Sequence, residues 1–398
     1  MKLLTYQEIF SCVHTTSQIL GTYGFKRING ILHLSKWRLV QSAISISLCI
    51  ALTTYYFTNS RYELMNEFAR VKIINFLLIF RAVANVTVLA MLTTLCYVCA
   101  KKTTAAMIEL HKVDQILLKL GQIEQLARAN WRTRNSAIFL VLVVNIALNL
   151  IEGVLKALTK MDKQIVYFIV VTYPRIALTN FNTSFFIMIL MVEERFRIIN
   201  GLILKRINGA GRYSKEANFC EAIDELVFIH KSLVRISKGI NQIFYVTALF
   251  FITADFILLV GDLYIIMYAL FSGFFHKHVR TIISLVKNCT SYVTDLFYFA
   301  KRSSDLCHEA NRTRVLLAGI HINIEKEEER NTVITSILKL IHNKLDITAC
   351  RLFSINNALL FSICGAASSY LFIMLQLDLG SVIDGQDSTN FTNSSLGN

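Results

Sequence analysis

The sequence predicts an all-α membrane protein with seven transmembrane helices, its N-terminus cytoplasmic and its C-terminus extracellular. Three observations predict it. Hydrophobic residues make up 54% of the 398 and charged residues only 17%, where a soluble domain carries roughly 25% charge. The apolar residues gather into seven runs of the roughly 20 residues needed to cross a bilayer. Basic residues alternate between successive connections: 29 of the 41 Lys and Arg lie in the N-terminal segment and after runs two, four and six, and 8 in the other connections. Basic loops stay cytoplasmic, which orients the chain. The same composition excludes disorder and a disulfide scaffold.

In chain order the spans are 37–57, 73–100, 136–155, 165–192, 243–271, 281–300 and 357–379. Span four holds Pro174, the chain's one proline, which a spanning helix tolerates where neighbours satisfy the freed carbonyl. Span six is interrupted by Lys287, Asn288, Thr290, Ser291, Thr294 and Asp295. It is kept because dropping it would place nine bases outside and a base-free tail inside. That tail carries two N-glycosylation acceptors, Asn390 and Asn393, which are modified only on the lumenal side.

This orientation is opposite to that of a receptor coupled to G proteins, so no G protein is required. Residues 1–36 contain no signal-type apolar core, and span one would start insertion itself. The outer connections are short, so an outside ligand must be recognised among the helices. The inner connections are long and read as helical. Ile223, Leu226, Val227, Ile229, His230, Leu233, Val234 and Ile240 recur at three- and four-residue steps, as do Val333, Ile337, Leu338, Ile341 and Leu345. Gly209-Ala-Gly211 reads as a turn, and Glu325-Lys-Glu-Glu-Glu-Arg330 as a solvated hinge or loop. The net charge of +14 is accounted for by the inward bias and needs no nucleic acid. None of the nine cysteines lies in an outer connection, and Cys96 and Cys99 read as buried thiols. His276 and His278 alone do not make a metal site. No catalytic grouping appears, so neither an enzyme nor a cofactor is expected.

A charge at the middle of a spanning helix costs about 2.5–3.5 kcal/mol on insertion scales. With about 1.5 Å of rise per residue, Arg81, Glu152, Arg175, Asp262 and Lys287 fall in the outer half, and Asp255 near the middle of span five. Asn145, Asn149 and Glu152 share a face of span three; Arg175, Thr179 and Asn182 share one on span four. Two arrangements satisfy this spacing. One is a polar ligand cavity lined by Arg81, Asn149, Glu152, Arg175, Thr179, Asp255, Asp262 and Lys287. The other is a set of internal ion pairs that hold the bundle without a ligand.

In span seven, Ser362, Gly365, Ser369, Ile373, Gln376 and Gly380 recur at steps of three and four, a small and polar stripe suited to a tight helix contact or to lining water. Asp378, Asp384 and Asp387 follow at the outer end, where an acidic mouth concentrates cations. The span closes with Ser369-Tyr370, five apolar residues, then Gln376-Leu377. This resembles the insect gustatory receptors, whose last span carries Thr-Tyr, five apolar residues and Gln-Phe. Phe353-Ser-Ile-Asn356 and Gly365 are also similar to that family, while Ser for Thr and Leu for Phe depart from it.

The resemblance implies a ligand-gated, non-selective cation channel of the plasma membrane of sensory neurons, opened by a small-molecule tastant. It implies a tetramer, of this chain or with related subunits, with the last helices around a central pore. Gln376 and Leu377 would form the gate, with Ser369 and Ile373 along the same pore wall. The resulting division is a cytoplasmic segment 1–36, a ligand-sensing bundle 37–300, a cytoplasmic helical anchor 301–356, a pore helix 357–379 and an extracellular tail 380–398. The sugar-receptor branch tends to have an acid after the Tyr; Leu371 points away from it. The rival readings are an odorant-receptor-type channel and a secondary transporter, the latter opposed by the odd span count and the lack of an internal repeat.

Overall fold

The computed structural model describes residues 5–19, 25–28, 31–34, 36–59, 72–141, 172–209, 219–271, 279–320, 327–341 and 343–394. It is built of helices: α1 (Tyr6–Ile19), α2 (Lys36–Asn59), α3 (Lys72–Lys119), α4 (Ile123–Phe139), α5 (Tyr173–Gly209), α6 (Phe219–Phe271), α7 (Val279–Ala318), α8 (Glu327–Ile341) and α9 (Asn357–Ser394). Two small antiparallel hairpins accompany them. β1 (Phe25–Ile28) pairs with β2 (Ile31–Leu34), and β3 (Thr348–Ala349) pairs with β4 (Phe353–Ser354). Neither hairpin was expected, because strands of two to four residues are too short to show alternation.

Spans two, four, five and six run on without a break into the long helices expected of the inner connections. Among the described residues, three helical stretches, Tyr173–Lys205, Phe219–Phe271 and Asn357–Gln376, are long and apolar enough to cross a membrane by length and composition alone. Shorter apolar stretches lie in α2 and α3, at Ala43–Leu52 and Ile79–Val88. The interrupted sixth span is a continuous helix turned inside out. Its Ile283, Val286, Val293 and Phe297 are exposed on one side, while Asn288, Tyr292 and Asp295 are buried on the other. That is the pattern of a helix with lipid outside and polar partners inside.

Helix α5 is the axis. Nearly every residue from Ala177 to Ile203 is buried, and α1, α3, α4, α6 and α7 all pack on it. Around its middle, Phe185 stacks on Phe299 with ring centroids 4.7 Å apart and tilts on Phe244 at 4.9 Å, distances typical of favourable aromatic pairs. Helices α3 and α4 are joined by a turn at Gly121, where φ is +74°; the amide of Gln122 donates to the Leu117 carbonyl at 3.0 Å, the closure of a glycine-capped helix end.

Three expectations are adjusted, and a fourth falls partly outside the described residues. Glu327, Glu328 and Glu329 form the first turn of α8 rather than a loop, because acids are stabilised at the positive end of a helix. The inner pattern over α6 is buried at every position named, but in α8 Leu338 and Ile341 are exposed, and Leu345 is buried beyond the helix end. Span seven continues as helix through Ser394 instead of ending near 379, since no proline follows to stop it. Gly209 ends α5, and Ala210 and Gly211 lie outside the described residues.

Candidate functional site

The intramembrane charges assemble at one end of the bundle, where the start of α5 meets α3, α6 and α7. Arg175, in the first turn of α5, spreads its guanidinium between two carboxylates: Nη1 donates to Asp255 Oδ1 of α6 and Nη2 to Asp295 Oδ2 of α7, each at 2.5 Å. Its flat face lies 4.6 Å from the centre of the Tyr292 ring, a stacking that only a guanidinium makes well. One layer away, Arg81 of α3 pairs with Asp262 of α6. All three acids are buried, so each charge is offset where water is excluded.

Arg81, Asn85, Arg175, Asp255, Lys287, Ser291 and Tyr292 line a cavity between these helices. Its free volume is about 40 Å³, room for no more than about three waters. In this conformation the polar chamber is almost filled by its own ion pairs. Both arrangements read from the sequence are thus present at once: a shared cavity, and charges that satisfy one another inside it.

The predicted residues distribute as follows. Arg81, Arg175, Asp255, Asp262 and Lys287 do come together. Thr179 is not among the residues lining the cavity; its hydroxyl donates to the Arg175 backbone carbonyl at 2.9 Å. Asn149 and Glu152 lie outside the described residues, as do His276 and His278. Asp295 is the addition: the sequence shows it only among the residues that interrupt span six, whereas an acid on the helix that carries Lys287, three residues from Tyr292 and on the same face, is the signal of a partner for a base on another span.

On α9, Ser362, Gly365, Ser369, Ile373 and Gln376 are all exposed. The opposite side packs on α6: Ile363 and Ala367 are buried, Leu371, Met374 and Leu375 lie against Tyr264, and Tyr370 meets Phe256 edge-on at 6.0 Å. Leu377, Asn390 and Asn393 continue the same helix. The helix is capped by Asn356, whose side-chain oxygen accepts from the amides of Ala358 at 3.0 Å and Leu359 at 3.3 Å. That is a physical role for the Asn of Phe353-Ser-Ile-Asn356.

A second charged belt lies about 30 Å further along α5, twenty residues on at 1.5 Å each. Arg195 is wholly buried. It forks onto Asp114 of α3, with Nε to Oδ1 at 3.0 Å and Nη2 to Oδ2 at 2.8 Å, and reaches Asn130 of α4 at 2.7 Å. The Tyr6 hydroxyl of α1 donates to the same Asp114 at 2.5 Å. Burial, outweighing the pull of Arg195, holds the Tyr6 phenol above its ordinary range, so it stays a donor. Beside this joint Arg132 binds Glu194 at 2.8 Å, and Asn200 donates to Glu309 at 3.0 Å. His230 donates from Nε2 to the Ala310 carbonyl at 3.0 Å; burial lowers its pKa and keeps it neutral. Sequence reading missed the belt because these bases were counted only as inner-loop charge. The signal was Glu193-Glu-Arg195 inside a helix that is apolar all round, where each charge must find a partner.

A bundle of long helices that seals paired charges within apolar surroundings defines a multi-pass membrane protein. A family model described as 7tm Chemosensory receptor matches residues 10–381. The chain belongs to that family of chemosensory receptors, which is not a family of enzymes. Among curated relatives, a putative gustatory receptor 28b of Drosophila melanogaster is 25% identical over 171 residues, 42% of this chain and 36% of that protein; the match therefore spans about a third of that relative's length. Among solved structures, the insect olfactory receptor OR5 from Machilis hrabei shares the fold with a TM-score of 0.61 at 13% identity, over 92% of this chain and 100% of that one. The same receptor in complex with eugenol gives 0.61 at 14% identity, over 93% and 97%.

Proposed function

We propose that this chemosensory receptor is a gustatory-type, ligand-gated cation channel of the plasma membrane of sensory neurons, opened by a small-molecule tastant outside the sugar class. The observation that carries the reading is the last helix. Over its apolar window α9 is only 6% buried among the described residues, and its polar stripe is exposed. A spanning helix with small and polar residues on a free face is suited to helix partners and to water. A homotetramer, or a heteromer with related subunits, supplies both, with Ser369, Ile373, Gln376 and Leu377 toward a central pore.

The ligand is received in the outer half of the bundle. That receptor OR5 is solved in complex with eugenol supports a small organic ligand for this fold. Because the charged chamber is nearly full, a ligand must part α5, α6 and α7 to enter, and it binds the parted state better than the closed one. That difference in affinity supplies the gating energy. Lys287, half-buried on the chamber wall, is the base to test for potency, since Arg175 is committed to two acids.

Two results are expected. In cells expressing this chain alone, tastants outside the sugar class evoke cation currents, and Gln376→Ala changes unitary conductance or calcium permeability by about two-fold or more at unchanged surface level. An unchanged current takes Gln376 out of the pore, and saturable uptake without current replaces the channel by a transporter. Tags at the two ends, stained without permeabilisation, are expected to label after residue 398 and not before residue 1. The reverse pattern overturns both the orientation and the outward-facing chamber.

A further inference from the structure

A groove outside the charged chamber runs over α5 between α4 and α7, with a free volume of about 280 Å³. Its lining is sorted along the helix axes. Asn135 and Ser136 of α4 and Arg302 of α7 stand at one end, and Phe139, Phe186 and Leu190 lie toward the other. This sorting coincides with three independently placed span ends: span three begins at 136, span four ends at 192 and span six ends at 300. The polar end of the groove thus falls just outside the hydrocarbon, and the apolar end within the first ~10 Å of it, at 1.5 Å per residue.

Phe139 is half exposed at the rim, while Phe186 and Leu190 floor the groove from the buried core. Arg302 approaches the buried Glu193 only at 3.9 Å, beyond hydrogen-bond distance. Its guanidinium keeps donors for a ligand. Arg132 nearby is held by Glu194, and Lys301 by Asp305 at 2.8 Å, so Arg302 is the base aimed at the groove.

We propose that this groove binds one anionic phospholipid of the bilayer, its phosphate on Arg302, Asn135 and Ser136 and its acyl chain along Phe139, Phe186 and Leu190. The depth matching favours a lipid over a soluble anion, because Phe139 and Phe186 lie roughly 5 and 9 Å inside the span ends, where only a chain is available. Guanidinium takes phosphate in a two-pronged grip, and basic pockets between spanning helices at the membrane edge are of the kind that hold acidic headgroups. A lipid seated there tethers α7, which carries Lys287 and Asp295, to α4.

The test is native mass spectrometry of the full-length chain purified in detergent, with dioleoylphosphatidylserine and dioleoylphosphatidylcholine added in equal amounts. Wild type is expected to retain the serine lipid, which carries a net negative charge, about five-fold more than the zwitterionic choline lipid, the effect of one base near the surface. Arg302→Gln should reduce that preference to near unity, and Arg302→Lys should keep part of it. Leu190→Trp, which fills the apolar end, should lower retention of both lipids. Equal retention by wild type overturns the proposal whatever the variants do. So does an unchanged preference in Arg302→Gln, or displacement of the serine lipid by glycerophosphoserine, a headgroup without chains. None of these readouts depends on which leaflet is cytoplasmic or on channel activity.

Discussion

Arg175→Gln is expected to cut the recovery of monodisperse protein by about ten-fold or more, because removing one partner of a buried ion pair costs roughly 3–5 kcal/mol and this guanidinium serves two. Asp255 has no exposed surface and Asp295 only 4%, so neither carboxylate gains water when the base is lost. The two acids would also repel each other across the space that Arg175 fills. Asp255→Asn and Asp295→Asn, added to Arg175→Gln, should restore more than half of the loss, since no lone charge then remains. Fluorescence-detected size exclusion gives the first readout and ligand dose–response of the restored variant the second. We expect the restored variant to open with shifted potency. Wild-type recovery of Arg175→Gln alone would show that the chamber does not hold the helices, and wild-type potency of the triple variant would show that it holds them without sensing.

That expectation reverses an emphasis natural to the sequence. Charges in the outer half of five spans invite a ligand site, in which substitutions alter potency before expression. The structure adds Asp295, and with it a single base bridging α6 and α7, which makes stability the first thing lost at Arg175. Lys287 remains the residue where potency should move first. Most of span three lies outside the described residues. Periodicity and hydropathy picked out the helical runs at spans one, two, five, six and seven, and the described part of span four, because a bilayer imposes a length and a polarity that one chain reveals by itself. They found the exposed stripe of α9 for the same reason, since Ser362, Gly365, Ser369, Ile373 and Gln376 need only helical spacing to align.

Pairing was less legible. Which base meets which acid depends on the rotation and neighbours of separate helices, and a single sequence carries no record of that. Arg81 with Asp262, Arg175 with Asp255 and Asp295, and Arg195 with Asp114 join positions 181, 80, 120 and 81 residues apart. The short hairpins escaped for a different reason. β3 and β4 are held by the Ile355 amide on the Ile347 carbonyl at 2.8 Å and by Ser354 on Asp346 at 2.6 Å, local bonds that leave no periodic trace.

The largest effect outside the charged chamber is expected at Arg195. It joins four helices through one side chain: Asp114 from α3, Asn130 from α4, the Met191 carbonyl of its own α5 at 3.0 Å, and, through Asp114, Tyr6 from α1. Arg195→Leu leaves a carboxylate that is only 6% exposed with the Tyr6 hydroxyl as its remaining donor, a loss of roughly 3–5 kcal/mol. Arg195→Lys should recover little, because an ammonium cannot span both carboxylate oxygens and Asn130 at once. Tyr6→Phe removes one hydrogen bond to a charged group and should cost about 1.5–3 kcal/mol. Arg195→Met with Asp114→Leu replaces the pair by apolar groups of similar size and should regain most of the stability. Thermal midpoints by fluorescence-detected size exclusion order the set as wild type, double variant, Tyr6→Phe, then Arg195→Lys and Arg195→Leu. A midpoint for Arg195→Leu equal to wild type would mean that α1, α3 and α4 are held on α5 by apolar packing alone, with the buried fork contributing nothing to the joint.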